Sequence, residues 1–599
     1  MREVRWKGFR VNPVVFFGSI ISVLVVVLIA VVNPEVFFDT ATGSRRRVSR
    51  EFTWLYVGSQ NLWVLFMAYI YLNPDYRSVK LGSDDAKPEY NTVTWVVMMF
   101  GAAGTGTGLI YYGVAEPILH LGMNRYLATG YLSFDELSQE ALNLAFFHWG
   151  IHTWVCYTIV GICMGMVTHR LGLPLCHRSC FFALFGQTIY GTVGDFVDML
   201  SIVTTVFAVC TSMGVGAIQI NTGISLIAPH IAKSPGVQAT LIVIMTVVAG
   251  ASVRLGLRRG VRVLSIVAFS VMSSVLVMVL MADETQYLLN LMVQSLGHHL
   301  HHFVPLSFRT DAFEQLGVDV DGKSGPKEWM DLWTTFYWGW WVSWSPFVGM
   351  FIGKISKGRT VGEVIHASLA GPVLFTLMWF AVFGGAGLRM ERQALEDGCL
   401  GKCQVIYGGE RFNSRFCQIV KTPTFIGANG VLTTEEDTLN KAEFAKRRPG
   451  GCSSVILPSA RAIDDMWFDV LNRYDNIGGL LVVLSIVSMI LSVITSNDSG
   501  AIVLNTVCCN GWSQGESKRE RAAMNLQIQG WCFMLGTTTT VMTLFGKERV
   551  LQTLQTIIVA VGLPYSVLVC MMCLSARILF DMELHPATDY TRRYDHTKT

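Results

Sequence analysis

The chain has 599 residues, of which 51% are hydrophobic and only 15% charged. A soluble globular domain carries closer to about 25% charged residues, so this composition excludes an ordinary soluble fold and argues for a polytopic membrane protein. A net charge of +3, with no basic stripe, gives no support to a nucleic-acid partner.

Apolar length predicts an all-α protein with about twelve transmembrane helices. The spans cover residues 13–32, 52–72, 92–112, 141–167, 196–218, 237–252, 263–282, 332–353, 365–388, 477–495, 526–545 and 551–576. The run 11–32 is long enough to cross and has no small-residue cleavage site, so it reads as a first span, not a leader. Basic residues in the short loops set the orientation. Four clusters fall on one side, and the rule makes that side cytoplasmic: Arg2 to Arg10, Arg254 to Arg262, Lys354 to Arg359, and Lys518 to Arg521. Both termini are then cytoplasmic at a plasma membrane. Arg45, Arg46, Arg47 and Arg50 dissent, because this topology puts them outside.

Two stretches do not span. Residues 283–308 read as an amphipathic interfacial helix ending in His298, His299, Leu300, His301 and His302. The histidines admit zinc, but a solvated face is the preferred reading. The loop 389–476 is long, rich in Gly and charge, and reads as a small lid on the outside. Of fourteen cysteines, ten lie in or beside apolar segments and read as small hydrophobes. The other four, Cys399, Cys403, Cys417 and Cys452, fall in the outer loop. If that loop faces an oxidising compartment they can form two disulfides, with three pairings open. The run from Cys176 to Cys180 lies in a short cytoplasmic connection, and a metal there has little support.

Three spans carry unusual chemistry. In the third, Gly101, Gly104, Gly106 and Gly108 crowd into eight residues. Each costs a helix nearly 1 kcal/mol against Ala, so the run is expected to unwind and bring bare backbone to a ligand. The alternative is tight packing through small residues. In the eighth, Trp338, Trp340, Trp341 and Trp344 fall within seven residues and run into Ser345 and Pro346. Indole faces can enclose a quaternary ammonium by cation–π attraction. Pro346 with Gly349 is expected to weaken that helix at mid-depth, where transporters hold substrate. An interfacial belt suits Trp333 and Trp338 but not Trp341 and Trp344, which lie deeper. The tenth holds Thr495, Ser496 and Asp498. The hydroxyls are hard oxygen donors for a sodium ion, and Asp498 is an ionisable group near the membrane end.

These runs together resemble one family. AAGTGTGLIYYGVAEP, FHWGIHTWVCY, FYWGWWVSWSPFVGMFIGKISKGRTVGEVI and ITSNDSG look like signatures of the betaine/choline/carnitine transporters, in the expected order. The resemblance covers roughly residues 92–576. It implies the LeuT-like fold of sodium-coupled amino-acid transporters, with inverted five-helix repeats behind two N-terminal helices. The division would be 1–90 for the N-terminus and first two helices, 91–282 and 332–576 for the repeats, 283–331 for the outer segment, and 577–599 for a cytoplasmic tail. Assembly would be a homotrimer.

By the same resemblance, Trp340, Trp341 and Trp344 form the substrate cage, and Trp149, Trp154 and Tyr157, with Trp341, line the access path. The Gly104, Gly106 and Gly108 run faces the substrate, although Thr105 and Thr107 replace the apolar residues usual in betaine transporters. Some choline-type members carry Asp at the position of Gly108, so its absence favours a zwitterionic solute. One Na+ site would use Thr495 and Ser496 with carbonyls near Ala102, Thr105 and Ser492. The other pairs Thr205 with a position that here is Val209, which offers no side-chain oxygen. Sodium symport of a glycine betaine-like onium solute follows as the expectation. Sodium-independent exchange of carnitine- or choline-type substrates is the alternative. No nucleophile–base spacing or Walker-type loop supports an enzyme or an ATP-driven pump, and the polar groups do not line a continuous pore.

Overall fold

The computed structural model describes residues 1–102, 105–123, 133–255, 261–316, 329–396, 403–407, 410–414, 425–426, 432–433, 462–474, 476–512, 517–546 and 550–585. Among them the protein is an all-α membrane protein, with nine helices long and apolar enough to cross a bilayer. The described residues of the remaining predicted spans, 92–112, 332–353 and 526–545, are helical too, but Gly, Trp and Thr lower their apolarity.

The first helix, α1 (Pro13–Val32), begins where the Asn12 side chain accepts from the Val14 and Val15 amides, with Pro13 at its first position. Most of its apolar surface faces outward, as a lipid-facing helix requires. The second, α2 (Pro34–Leu72), has 39 residues, so it is about 58 Å long and overshoots a ~30 Å hydrocarbon layer. That overshoot accommodates the dissenting arginines. Arg45 is buried in an ion pair with Asp331 at 3.2 Å, so it is a structural charge and not a free loop charge.

The third span is divided between α3 (Thr92–Ala102) and α4 (Thr105–Met123). Gly104 lies outside the described residues. Gly106 and Gly108 do not unwind; they are helical, and α4 runs past the expected end at 112. The fourth span is α5 (Phe134–Trp149), opened by a Ser133–Glu136 capping box, followed at Gly150 by α6 (Ile151–Gly165). Next come α7 (Thr192–Ile227), α8 (Pro235–Leu255), α9 (Val261–Ala282) and α10 (Thr285–Ser307).

The tryptophan-rich span is α11 (Phe336–Ile355), which runs unbroken through Pro346 and Gly349. Every residue of it except Lys354 is buried, as a helix apolar all round demands. Gly349 serves a helix crossing: a Cβ there would lie 2.4 Å from Val160 Cβ on α6. Beyond it lie α12 (Val361–Trp379), α13 (Gly385–Glu396), α14 (Ile463–Leu471), α15 (Gly478–Cys508), α16 (Lys518–Gly546) and α17 (Val550–Leu584). Because α15 extends to Cys508, Asp498 sits inside the helix and is fully buried.

Packing pairs come in exchange-related sets. Helix α9 packs on α15 as α17 packs on α7, α8 on α15 as α16 on α7, and α3 on α9 as α11 on α17. The pairs α7–α15 and α8–α16 map onto themselves. This is the pattern of the inverted five-helix repeat.

The segment 283–308 departs from expectation in part. The histidines divide: His301 is exposed and His298 and His302 are half-buried, whereas His299 is buried and its Nδ1 lies 2.9 Å from Asn143 Oδ1 on α5. Burial, with His298 beside it, pushes the His299 imidazole down to about 4. In the loop 389–476 the strands Cys403–Tyr407 and Glu410–Ser414 pair antiparallel, whereas Cys399, Cys417 and Cys452 lie outside the described residues. The Cys176 to Cys180 run is a clip: buried Arg178 reaches Asp198 at 2.6 Å and Asp195 at 2.8 Å on α7.

Candidate functional site

Helix α4 positions two sites on two faces. Gly106 and Gly108 are two residues apart, so they point about 200° around the helix from each other. A Cβ on Gly108 would lie 2.8 Å from the Trp149 ring and 3.2 Å from the Trp340 ring. A Cβ on Gly106 would lie 2.5 Å from Ser492 Oγ on α15. Glycine therefore buys close approach on both sides.

On the Gly108 side, three of the expected aromatic residues come together. Trp340 and Trp341 stack at 5.0 Å with planes 9° apart. Trp149 stands edge-on to Trp341 at 4.8 Å and to Trp340 at 6.3 Å. Tyr112, one turn after Gly108, closes the edge at 6.0 Å from Trp340. The other three lie apart. Trp344 packs on Phe347 at 5.5 Å, and Trp154 on Tyr157 at 5.6 Å. The Trp344–Phe347 pair makes no ring contact with the stacked indoles among the described residues. Trp344 still shares a helix face with Trp340, and the buried indole N–H groups of both lack a partner among the described residues.

Sequence reasoning missed the polar wall behind this cluster. Glu116, fully buried, accepts from Trp149 Nε1 at 2.7 Å and from the Tyr337 hydroxyl at 2.5 Å, both on Oε2. Its Oε1 lies 2.7 Å from His148 Nδ1 and 3.4 Å from His120 Nε2. His148 Nε2 continues to Thr334 Oγ1 at 3.0 Å, and the His148 carbonyl accepts from Trp341 Nε1 at 2.9 Å. A carboxylate thus fixes Trp149, Tyr337 and, through His148, Trp341. An acidic residue in the GVAEP run, just past the predicted span 92–112, was the available signal.

On the Gly106 side, Thr495 Oγ1 donates to the Leu491 carbonyl at 2.7 Å and Ser496 Oγ to the Ser492 carbonyl at 2.8 Å. Each hydroxyl spends its proton on its own helix, which leaves its oxygen lone pairs available to a cation. Ala102 and Thr105 end and begin the helices that flank this point. Thr205 and Val209 are buried on α7, and a Val209 methyl lies 3.2 Å from where a Gly500 Cβ would be. Thr107 pairs with Ser212 of α7 at 2.8 Å, which accounts for a hydroxyl in the glycine run. Asp498 faces α8 instead, accepting from Ser252 at 2.7 Å.

Comparison with known proteins identifies the family. The family model for betaine/carnitine/choline family transporters matches residues 14–402 and 451–584. An osmo-dependent choline transporter of Acinetobacter baylyi is 34% identical over 383 residues, covering 63% of this chain and 53% of the relative. The high-affinity choline transport protein of Escherichia coli K12 is 33% identical, covering 63% of this chain and 54% of the relative. The chain thus spans about half the length of these two relatives. A glycine betaine/proline/choline/ectoine transporter of Vibrio parahaemolyticus is 30% identical over 576 residues, covering 95% of this chain and 87% of the relative. With its family model matched over most of its length, the chain belongs to the betaine/carnitine/choline transporter family.

Proposed function

We propose that the protein takes up a small onium solute across the plasma membrane and drives it with sodium. The observation that carries the reading is the Trp340–Trp341 stack walled by Trp149 against Gly108. Such faces attract an onium group by up to about 2 kcal/mol when desolvated. The unpartnered N–H groups of Trp340 and Trp344 are donors for a substrate carboxylate, which favours a zwitterion such as glycine betaine. The Thr495 and Ser496 hydroxyls, with carbonyls near Ala102, Thr105 and Ser492, supply about five oxygens for Na+. The halves 91–282 and 332–576 would rock about this centre, with both termini cytoplasmic and the chain in a homotrimer.

A second reading has its own observation. Glu116 places a buried carboxylate one indole behind the cage, so a net cation such as choline finds a counter-charge without an Asp at position 108. Uptake of radiolabelled betaine and choline into proteoliposomes, with and without a sodium gradient, separates these readings. Equal uptake under both conditions rejects symport and leaves exchange.

A further inference from the structure

We infer that α10 and α5 together form a binding site for a zinc-class divalent ion, with Glu140, His298 and His302 as its three protein ligands. His298 and His302 are four residues apart on α10, so their imidazoles share one face, with ring centroids 4.2 Å apart. Glu140 reaches them from α5, its Oε1 lying 2.7 Å from His298 Nε2. One ligand atom from each of the three lies within 4.8 Å of the others.

The surrounding groups prepare these ligands. His302 Nδ1 lies 3.0 Å from the His298 carbonyl. A carbonyl only accepts, so Nδ1 carries the proton and the Nε2 lone pair is left for a metal. Asn143 donates to Glu140 Oε2 at 3.2 Å and turns Oε1 toward the histidines. Metal-bound imidazole and carboxylate are typically fixed by second partners of this kind.

The site is also reachable. The His298 and Glu140 side chains keep 24% and 28% of their exposure, enough for a hydrated ion to arrive from water. Ligand atoms on tetrahedral zinc stand roughly 3.3 Å apart, so the Glu140–His298 contact must open by about half an ångström. Side-chain rotation supplies that. Nitrogen-rich donors select zinc, copper or cobalt over magnesium and calcium. Three protein ligands leave a fourth position for water, so the ion would exchange and not be a fixed structural one. When bound, it would pin α10 to the helix that carries His148 and Trp149.

The competing reading is that Glu140 and His298 only hold two helices together. Purified full-length protein decides by titration with Zn2+ and with Co2+, whose visible spectrum reports its ligands. Expected are one ion per chain, a tetrahedral nitrogen–oxygen Co2+ spectrum, and a raised melting temperature with zinc but not magnesium. His298→Gln and His302→Gln should each weaken binding at least tenfold and erase that spectrum. His301→Gln, exposed on the same helix, should keep it. Equal zinc retention in the His298→Gln/His302→Gln double variant would overturn the site, as would a thiolate spectrum or magnesium competing as well as zinc. Should those variants fail to fold, the Co2+ spectrum of the unaltered protein decides alone.

Discussion

The aromatic cluster and the hydroxyl ladder flank one short helix, α4, and they satisfy their polar groups in opposite ways. Behind the indoles, Trp149, Tyr337 and Trp341 each direct a donor into protein acceptors, so the wall is rigid before any solute arrives. Along the ladder, Thr495 and Ser496 bond only to their own helix and turn lone pairs outward. One region would recognise by faces already held in place, the other by oxygens waiting for a cation. Substitutions should separate the two, with solute affinity changing on one side and sodium dependence on the other.

The largest effect is expected on the ladder. Thr495→Ala with Ser496→Ala removes both side-chain oxygens and should abolish sodium stimulation, while betaine binding at saturating sodium-free conditions is little changed. Uptake measured against a sodium series checks this. Parallel loss of both properties would mean that the two regions are not separable.

Next is the wall. Glu116→Gln keeps the shape but removes the charge that Trp149, Tyr337 and the two histidines meet. Hydrogen bonds to a charged group contribute about 1.5–3 kcal/mol, so apparent affinity should fall ~10–150-fold. If Glu116 also serves as a counter-charge, choline should lose more than betaine. Equal losses would confine Glu116 to holding the indoles.

Within the cluster the expected effects are smaller and graded. Trp340→Leu removes a stacked face and should cost about 1–2 kcal/mol of solute affinity. Trp344→Leu leaves the stack intact and should cost only about 0.5 kcal/mol for choline, but more for betaine if its N–H meets the carboxylate. Competition binding with both solutes measures the difference.

How much of this was legible follows from where the partners sit in the chain. The indoles and the Thr495–Ser496 pair are short runs of distinctive composition, so they stand out without a fold. The Glu116 network was not legible, because Glu116, Trp149 and Tyr337 are brought together across separations of 33 and 221 residues. Gly349 shows the opposite failure. Beside Pro346 it looks like a helix breaker, yet the helix continues and the glycine makes room for Val160. The histidine run misled for a similar reason. Its periodicity fits a solvated face, which His301 keeps, but Asn143 arriving from α5 covers His299 and Glu140 meets His298.

The smallest expected effect tests how many ions the ladder side takes. Val209 occupies the place where the resemblance implies a second hydroxyl for the other sodium site, one turn from Thr205 on α7. It is fully buried, and its methyl faces the Gly500 region of α15, so no water takes the place of the lost oxygen without displacing packed atoms. The unaltered protein should therefore show a sodium Hill coefficient near one. Val209→Thr is nearly isosteric, but it buries a hydroxyl that costs about 1–3 kcal/mol unless it finds a partner. A sodium ion shared with Thr205 would be such a partner. The variant should then be slightly less stable without sodium, recover in its presence, and raise the coefficient toward two. Loss of stability at every sodium concentration, with the coefficient unchanged, would mean that this part of α7 holds no ion. A coefficient near two before any substitution would show that Val209 leaves the first site working.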